Sequence, residues 1–252
     1  MGGSSMRGIL YFSATGNSLQ IAQQLRQTLG GEIRYVPSFQ GDGEEYEEII
    51  LVSPIYSFGL PVHVYDLIPR LSKKRPLWVV LNYGGMSGGA DGLTYRRCVE
   101  YGLDIRGVYL IKMPENYTLT FTPPEAYTKS LLRSAPKNIA KIAKKIAEGE
   151  RHIPRGLISL ERLYLKNRPT WHKLVEDLSV AEDCTRCGIC VSLCPAGNIS
   201  ITDGKVTFSD KCVLCLGCYH RCPQIAIRYK NNASKFRYVN PTVRGTDIGK
   251  DM

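Results

Sequence analysis

Eight of the nine cysteines fall between Cys184 and Cys222, in two runs of one spacing. The first is Cys184-x-x-Cys187-x-x-Cys190-x-x-x-Cys194-Pro195 and the second is Cys212-x-x-Cys215-x-x-Cys218-x-x-x-Cys222-Pro223. The offset is 28 residues throughout, and Ile199 and Ile227 keep it, so the segment is an internal repeat. Three thiolates on one tight loop can grip three irons of a cube, leaving the fourth ligand to come from elsewhere. Paired Cys-x-x-Cys also suits a four-cysteine zinc site. A third cysteine at the same spacing followed by Cys-Pro, twice over, favours iron–sulfur clusters. A disulfide framework is the remaining use for so many cysteines. Against it, the chain opens with no charged-then-apolar leader ending in a small-residue cleavage site, and repeated spacing in a cytosolic protein reads as metal binding. A cytoplasmic location is therefore expected. Cys98 stands apart in a predicted helix and reads as a buried structural thiol.

The repeat resembles the bacterial dicluster ferredoxins over about 45 residues, with all eight ligands present. The resemblance implies two [4Fe–4S] clusters that exchange a ligand between repeats. One would sit on Cys184, Cys187, Cys190 and Cys222, the other on Cys212, Cys215, Cys218 and Cys194. Gly188 and Gly217 leave room for backbone near the clusters, and each proline stops its helix after the remote ligand. His220, between Cys218 and Cys222, reads as a tuning or surface residue. Electron transfer without a substrate site is implied for this segment.

The first 150 residues alternate between strand and helix signals. Strands are expected from Arg7, at 32–36, 48–54, 76–81 and 105–113, and helices at 17–29, 63–71, 91–101 and 124–148. Such alternation implies an α/β fold, a parallel sheet covered on both faces. After the first strand, Ser13-Ala14-Thr15-Gly16-Asn17-Ser18 runs into a helix, where hydroxyls and free N–H groups form an anion cradle. It lacks the lysine of a Walker-type loop and the G-x-G-x-x-G of a dinucleotide fold, so a terminal phosphate monoester fits best. Two further loops follow the third and fourth strands, Ser53–Pro61 and Asn82–Gly89. All three lie at the carboxyl ends of parallel strands, where such folds bind ligands.

Together these loops resemble those of flavodoxins, a doubly wound fold on a five-stranded parallel sheet. The resemblance implies FMN, its phosphate on Ser13, Thr15, Gly16, Asn17 and Ser18. The ring would lie between Pro54, Ile55, Tyr56, Phe58 and Gly59 on one loop and Asn82, Tyr83, Gly84, Gly85 and Gly88 on the other. Tyr56 or Phe58 would cover one face and Tyr83 the other, with main chain near Gly59 and Gly84 at the polar edge. Flavodoxins surround the flavin with acidic residues, and these loops contain none. The whole chain resembles the fused flavodoxin–ferredoxin proteins of anaerobic bacteria. The expected division is 6–150 flavodoxin-like, 151–180 a helical connector interrupted by Pro169, 181–230 a small α+β dicluster ferredoxin domain, and 231–252 a polar tail pinned by Phe236 and Tyr238. Met1-Gly-Gly-Ser-Ser ahead of Met6 reads as foreign to the natural chain.

The net charge of +10 is uneven: residues 1–122 balance, whereas 123–180 carry 12 basic and 6 acidic residues. Two oxidised clusters and a flavin phosphate at about −2 each would leave roughly +4, which argues against nucleic acid as a partner. The basic helix at Lys137, Lys141, Lys144 and Lys145 reads as a solvated face or as a docking face for an acidic redox partner protein. No apolar run approaches the roughly 18 residues of a membrane span. Three functions remain open: an electron carrier joining clusters to FMN, an FMN-dependent reductase of a small organic substrate fed by the clusters, or a ferredoxin with a flavin-free docking domain. No nicotinamide motif is present. Residues 114–124 read as an ordinary proline-rich loop or as a lid over the flavin.

Overall fold

The computed structural model describes residues 6–154, 160–230 and 236–252. Residues 1–5, and the parts of the connector and tail at 155–159 and 231–235, lie outside the described residues. The apolar runs form β1 (Arg7–Tyr11), β2 (Glu32–Tyr35), β3 (Glu48–Pro54), β4 (Pro76–Tyr83) and β5 (Asp104–Lys112). They hydrogen-bond in the order β2-β1-β3-β4-β5, and every pair is parallel. This is the flavodoxin-like doubly wound order, with its switch point between β1 and β3. Ile9, Leu10, Ile50, Leu51, Val79 and Val80 are fully buried, because a sheet covered on both faces has no wet side.

The covering helices are α1 (Asn17–Leu29), α2 (Val62–Leu67), α3 (Ala90–Glu100) and α4 (Glu125–Ala147). On α4, Ala135, Ile139, Ile142, Ala143 and Ile146 share the buried face at helical spacing and pack toward α1 and β5. Lys137, Lys141 and Lys144 lie on its exposed side. Two elements differ from the periodicity. The stretch after α2 tightens into a 3-10 turn at Ile68–Arg70, where Pro69 has no N–H to give an α-helical bond. In the connector, α5 (Glu161–Asn167) passes into a 3-10 run at Arg168–Asp177 that begins with Pro169.

The cysteine segment holds β6 (Leu178–Val180), α6 (Ile189–Ser192), β7 (Ile199–Thr202), β8 (Lys205–Phe208), α7 (Gly217–Arg221) and β9 (Ile227–Tyr229). β6 pairs antiparallel with β9, and β7 with β8. A shift of 28 residues carries β6 onto β8, α6 onto α7 and β7 onto β9, so the sequence repeat is also a repeat of structure. This segment packs on the α/β domain in two places. Leu119 shares a small core with Leu216, Tyr219 and Ile227, while Leu214 and Cys215 rest against the main core. The chain end covers the free edge of β2: Ile33 and Met252 exchange two backbone hydrogen bonds, each 2.8 Å.

Candidate functional site

Two cavities divide the eight cysteines. Cys184, Cys187, Cys190 and Cys222 line one, and Cys194, Cys212, Cys215 and Cys218 line the other. Each set takes three residues from one run and the fourth from the other. The walls repeat as well: Val180, Ala226 and Ile227 stand at the first cavity, and Phe208, Asn198 and Ile199 at the second. The remote sulfurs accept equivalent bonds, from the Asn198 N–H to Cys194 Sγ at 3.2 Å and from the Ala226 N–H to Cys222 Sγ at 3.3 Å. Donors aimed at sulfur favour the thiolate and tune a bound cluster.

Among the described residues no three His, Cys, Asp or Glu side chains converge as a single ion requires. Zinc, at about 2.3 Å from each sulfur, draws four thiolates round one point. A four-iron cube spreads them over its corners, and the two four-thiol cavities fit that donor set. Burial pushes the Cys215 thiol up to about 12 and raises Cys218 well above its ordinary value, so ionising them takes the charge of bound iron. The second cavity is the one turned toward the α/β domain: Gly217 stands beside both Ala14 and Cys215.

The loop 13–18 makes the tight turn expected of an anion cradle. Gly16 has φ +98°, and its N–H donates to Ser13 Oγ at 2.9 Å. A pocket is lined by Ser13, Thr15, Asn17 and Ser18 from this loop, Pro54, Ile55 and Tyr56 from the second, and Asn82, Tyr83 and Gly84 from the third. Asn82 Nδ2 donates to Ser18 Oγ at 2.7 Å and to the Ser53 carbonyl at 3.1 Å, tying the three loops together. The Asn17 side chain is engaged elsewhere. Its Nδ2 donates to the Pro114 carbonyl at 2.9 Å, and its Oδ1 accepts from the Tyr238 hydroxyl at 2.6 Å and from Asn240 Nδ2 at 3.0 Å. What Asn17 can offer an anion is main chain at the first turn of α1.

Beyond this pocket opens a groove of about 860 Å³. Ile55, Tyr56, Ser57, Phe58, Tyr83, Gly84, Gly85 and Met86 line one side, and Trp171, Lys173 and Leu174 of the connector line another. The turn Tyr56-Ser57-Phe58-Gly59 closes with reciprocal backbone bonds of 2.9 and 3.1 Å, and Ser57 and Phe58 both take positive φ, 48° and 72°. A turn of this hand normally selects glycine or asparagine there, so strain is held beside the groove. Of the residues expected at the cofactor, Gly16, Gly59 and Gly88 line neither pocket nor groove. A Cβ on Gly59 would lie 2.3 Å from the Tyr164 ring and one on Gly88 2.4 Å from the Phe58 ring, so both serve close packing. Gly16 serves the turn, with Val243 of the tail against it.

An acidic group does reach the site, from outside the three loops. The Glu115 carboxylate accepts the N–H groups of Gly85 at 3.1 Å, Asn116 at 2.9 Å and Tyr117 at 2.8 Å, and Glu115 lines pocket and groove alike. Its segment is clasped to the cysteine module. His220 is 3% exposed, and its Nδ1 accepts the Tyr238 N–H at 3.1 Å. The proton therefore sits on Nε2, which donates to the Asn116 carbonyl at 2.6 Å. Burial pushes this imidazole down to about 4, so it is neutral. His220 is a joint between the two modules rather than a surface residue, and Asn116 and Leu119 clasp the 114–124 segment to the cysteine module.

Residues 183–227 match the family of 4Fe–4S dicluster domains. The chain joins a flavodoxin-like domain to a dicluster domain. Over 50 residues, 20% of this chain, it is 40% identical to the polyferredoxin protein MvhB of Methanothermus fervidus, and the match spans 12% of that protein. The flavodoxin of Fusobacterium nucleatum, solved with flavin mononucleotide, is 17% identical at a TM-score of 0.43, covering 57% of this chain and 97% of its own. The two-electron reduced flavodoxin of Megasphaera elsdenii is 24% identical at a TM-score of 0.37, over 52% of this chain and 99% of its own. The fold assignment rests on the strand order.

Sequence reasoning missed Glu115, the His220 joint and the reach of the tail. None carried a local motif. The only signal for the tail was its scatter of apolar residues, Val239, Val243, Ile248 and Met252, beyond the two aromatics.

Proposed function

We propose that this chain is an electron relay between two [4Fe–4S] clusters and FMN. The observation that carries it is a shared wall: Leu174 and Leu216 line both the groove beside the ring loops and the cavity of Cys194, Cys212, Cys215 and Cys218. Electron transfer weakens steeply with distance, and a wall one side chain thick is a short gap. In this reading each cavity holds a cluster on its four cysteines, and the N–H groups of Asn198 and Ala226 steady the remote thiolates. Ser13, Thr15 and Ser18, with main chain at the start of α1, hold the flavin phosphate. Tyr56 or Phe58 and Tyr83 bracket the ring, and Glu115 sets the electrostatics at its edge. When bound, the clusters would supply one-electron steps and FMN one- or two-electron steps, making the chain a converter between the two. An external one-electron partner protein is required, and the exposed lysines of α4 suit an acidic one.

Composition tests the reading. Protein prepared without oxygen is expected to hold about eight irons and eight acid-labile sulfides per chain, with one FMN. Zinc without sulfide contradicts the clusters. A chain that takes up no FMN on reconstitution is instead a ferredoxin carrying a docking domain.

A further inference from the structure

The groove is larger and more varied than a cradle for one ring. At about 860 Å³, the flavin ring's share included, it lies within the roughly 300–1,000 Å³ of small-molecule pockets and leaves room beside one ring. The flavin-binding loops contribute one side of it. The connector supplies the other, and it is built to stay there. Tyr164, fully buried, donates its hydroxyl to the Leu60 carbonyl at 2.9 Å and carries Trp171 edge-on at 5.8 Å between ring centres. Arg168 binds Asp66 at 2.9 Å and lies over the Tyr65 ring. A carrier that only meets other proteins needs an open flavin edge, not a fixed second wall.

The lining chemistry narrows the occupant. With the flavin ring against the Tyr83 loop, Tyr117 and Trp171 give the rest of the groove flat aromatic surfaces. The charged groups on it are Glu115, Lys173, Glu176 and Asp177, with Lys230 3.3 Å from Asp177, so the balance is slightly negative and disfavours an anion. There is no concentrated positive charge to select an anion, while Lys173 at the rim can donate to oxygen. We infer that the groove between connector and ring loops binds a second ligand beside the flavin, a small, flat, uncharged conjugated molecule bearing carbonyl or nitro oxygens. This rests on the FMN reading and extends it to a site for a small molecule.

Equilibrium dialysis on the oxidised, FMN-loaded full chain tests it, with 2,3-dimethyl-1,4-naphthoquinone as probe and its sulfonated analogue as comparison. Saturable one-to-one binding of the neutral probe, with weaker binding of the sulfonate, is expected. Thr170→Trp, at an exposed rim position, fills the groove without touching the core. It is expected to weaken the probe at least tenfold while flavin and iron contents stay unchanged. Tyr117→Ala, at a position 43% exposed, is expected to weaken it severalfold. No saturable binding to FMN-loaded protein, tighter binding of the sulfonate, or binding indifferent to both substitutions overturns the inference. Protein that takes up no FMN overturns the relay reading as well, and the flavin count reveals this before any titration.

Discussion

Cys194 and Cys222 are the residues on which the pairing of the two cysteine runs turns. Each sits in the cavity of the opposite run, so their loss is not local in sequence. Cys194→Ser is expected to remove about half of the iron, and the surviving spectroscopic signal should be that of the site on Cys184, Cys187, Cys190 and Cys222. Loss of that site instead means that each run closes on itself. Cys98 tests the opposite property. It is fully buried, and burial pushes its thiol up to about 12. Folded, iron-free protein should alkylate at the exposed Cys187 and spare Cys98 until denaturant is added. The sign of its contribution to stability follows: the neutral thiol is favoured in the fold, so the contribution is complete below the ordinary thiol range and is lost as pH rises toward 12.

At the scale of elements, the five strands and four covering helices of the α/β domain are legible because each declares itself within a short window, by an apolar run or a helical period. For the cysteines, spacing says only that each run needs a fourth ligand from elsewhere; the exchange between runs comes from the resemblance to dicluster ferredoxins. The role of Asn17 is not legible. The partner that occupies it, Tyr238, is 221 residues away, and no local pattern announces a contact of that span. Thr15 and Asn17 are therefore expected to separate under substitution. Thr15→Ala should lower FMN affinity by roughly 0.5–1.5 kcal/mol for a lost hydrogen bond and leave thermal stability nearly unchanged. Asn17→Ala strands buried groups on Tyr238, Asn240 and the Pro114 carbonyl, at about 1–3 kcal/mol for each left unpaired. Its first effect should be a lower Tm by calorimetry, with FMN affinity falling only as the tail loosens. Equal loss of affinity with unchanged Tm in both variants contradicts this division.

At the scale of the whole molecule, the connector, the cysteine module and the tail are each tied to the α/β domain. The connector is held to the second loop by Tyr164, the 114–124 clasp is held to the cysteine module by His220 and Leu119, and the tail bonds both to α1 and to the edge of β2. Among the described residues no helix is long and apolar enough to cross a membrane. These links place the cavity of Cys194, Cys212, Cys215 and Cys218 against the groove, with Leu174 and Leu216 between them. The most direct measurement is rapid mixing of protein carrying both clusters and oxidised FMN with a reductant that reaches the clusters first, followed at cluster and flavin wavelengths over a range of protein concentrations. The relay predicts fast flavin reduction at a rate independent of protein concentration. Flavin reduction that is slow, or whose rate rises in proportion to protein concentration, means that electrons pass between molecules and contradicts the shared wall as the path.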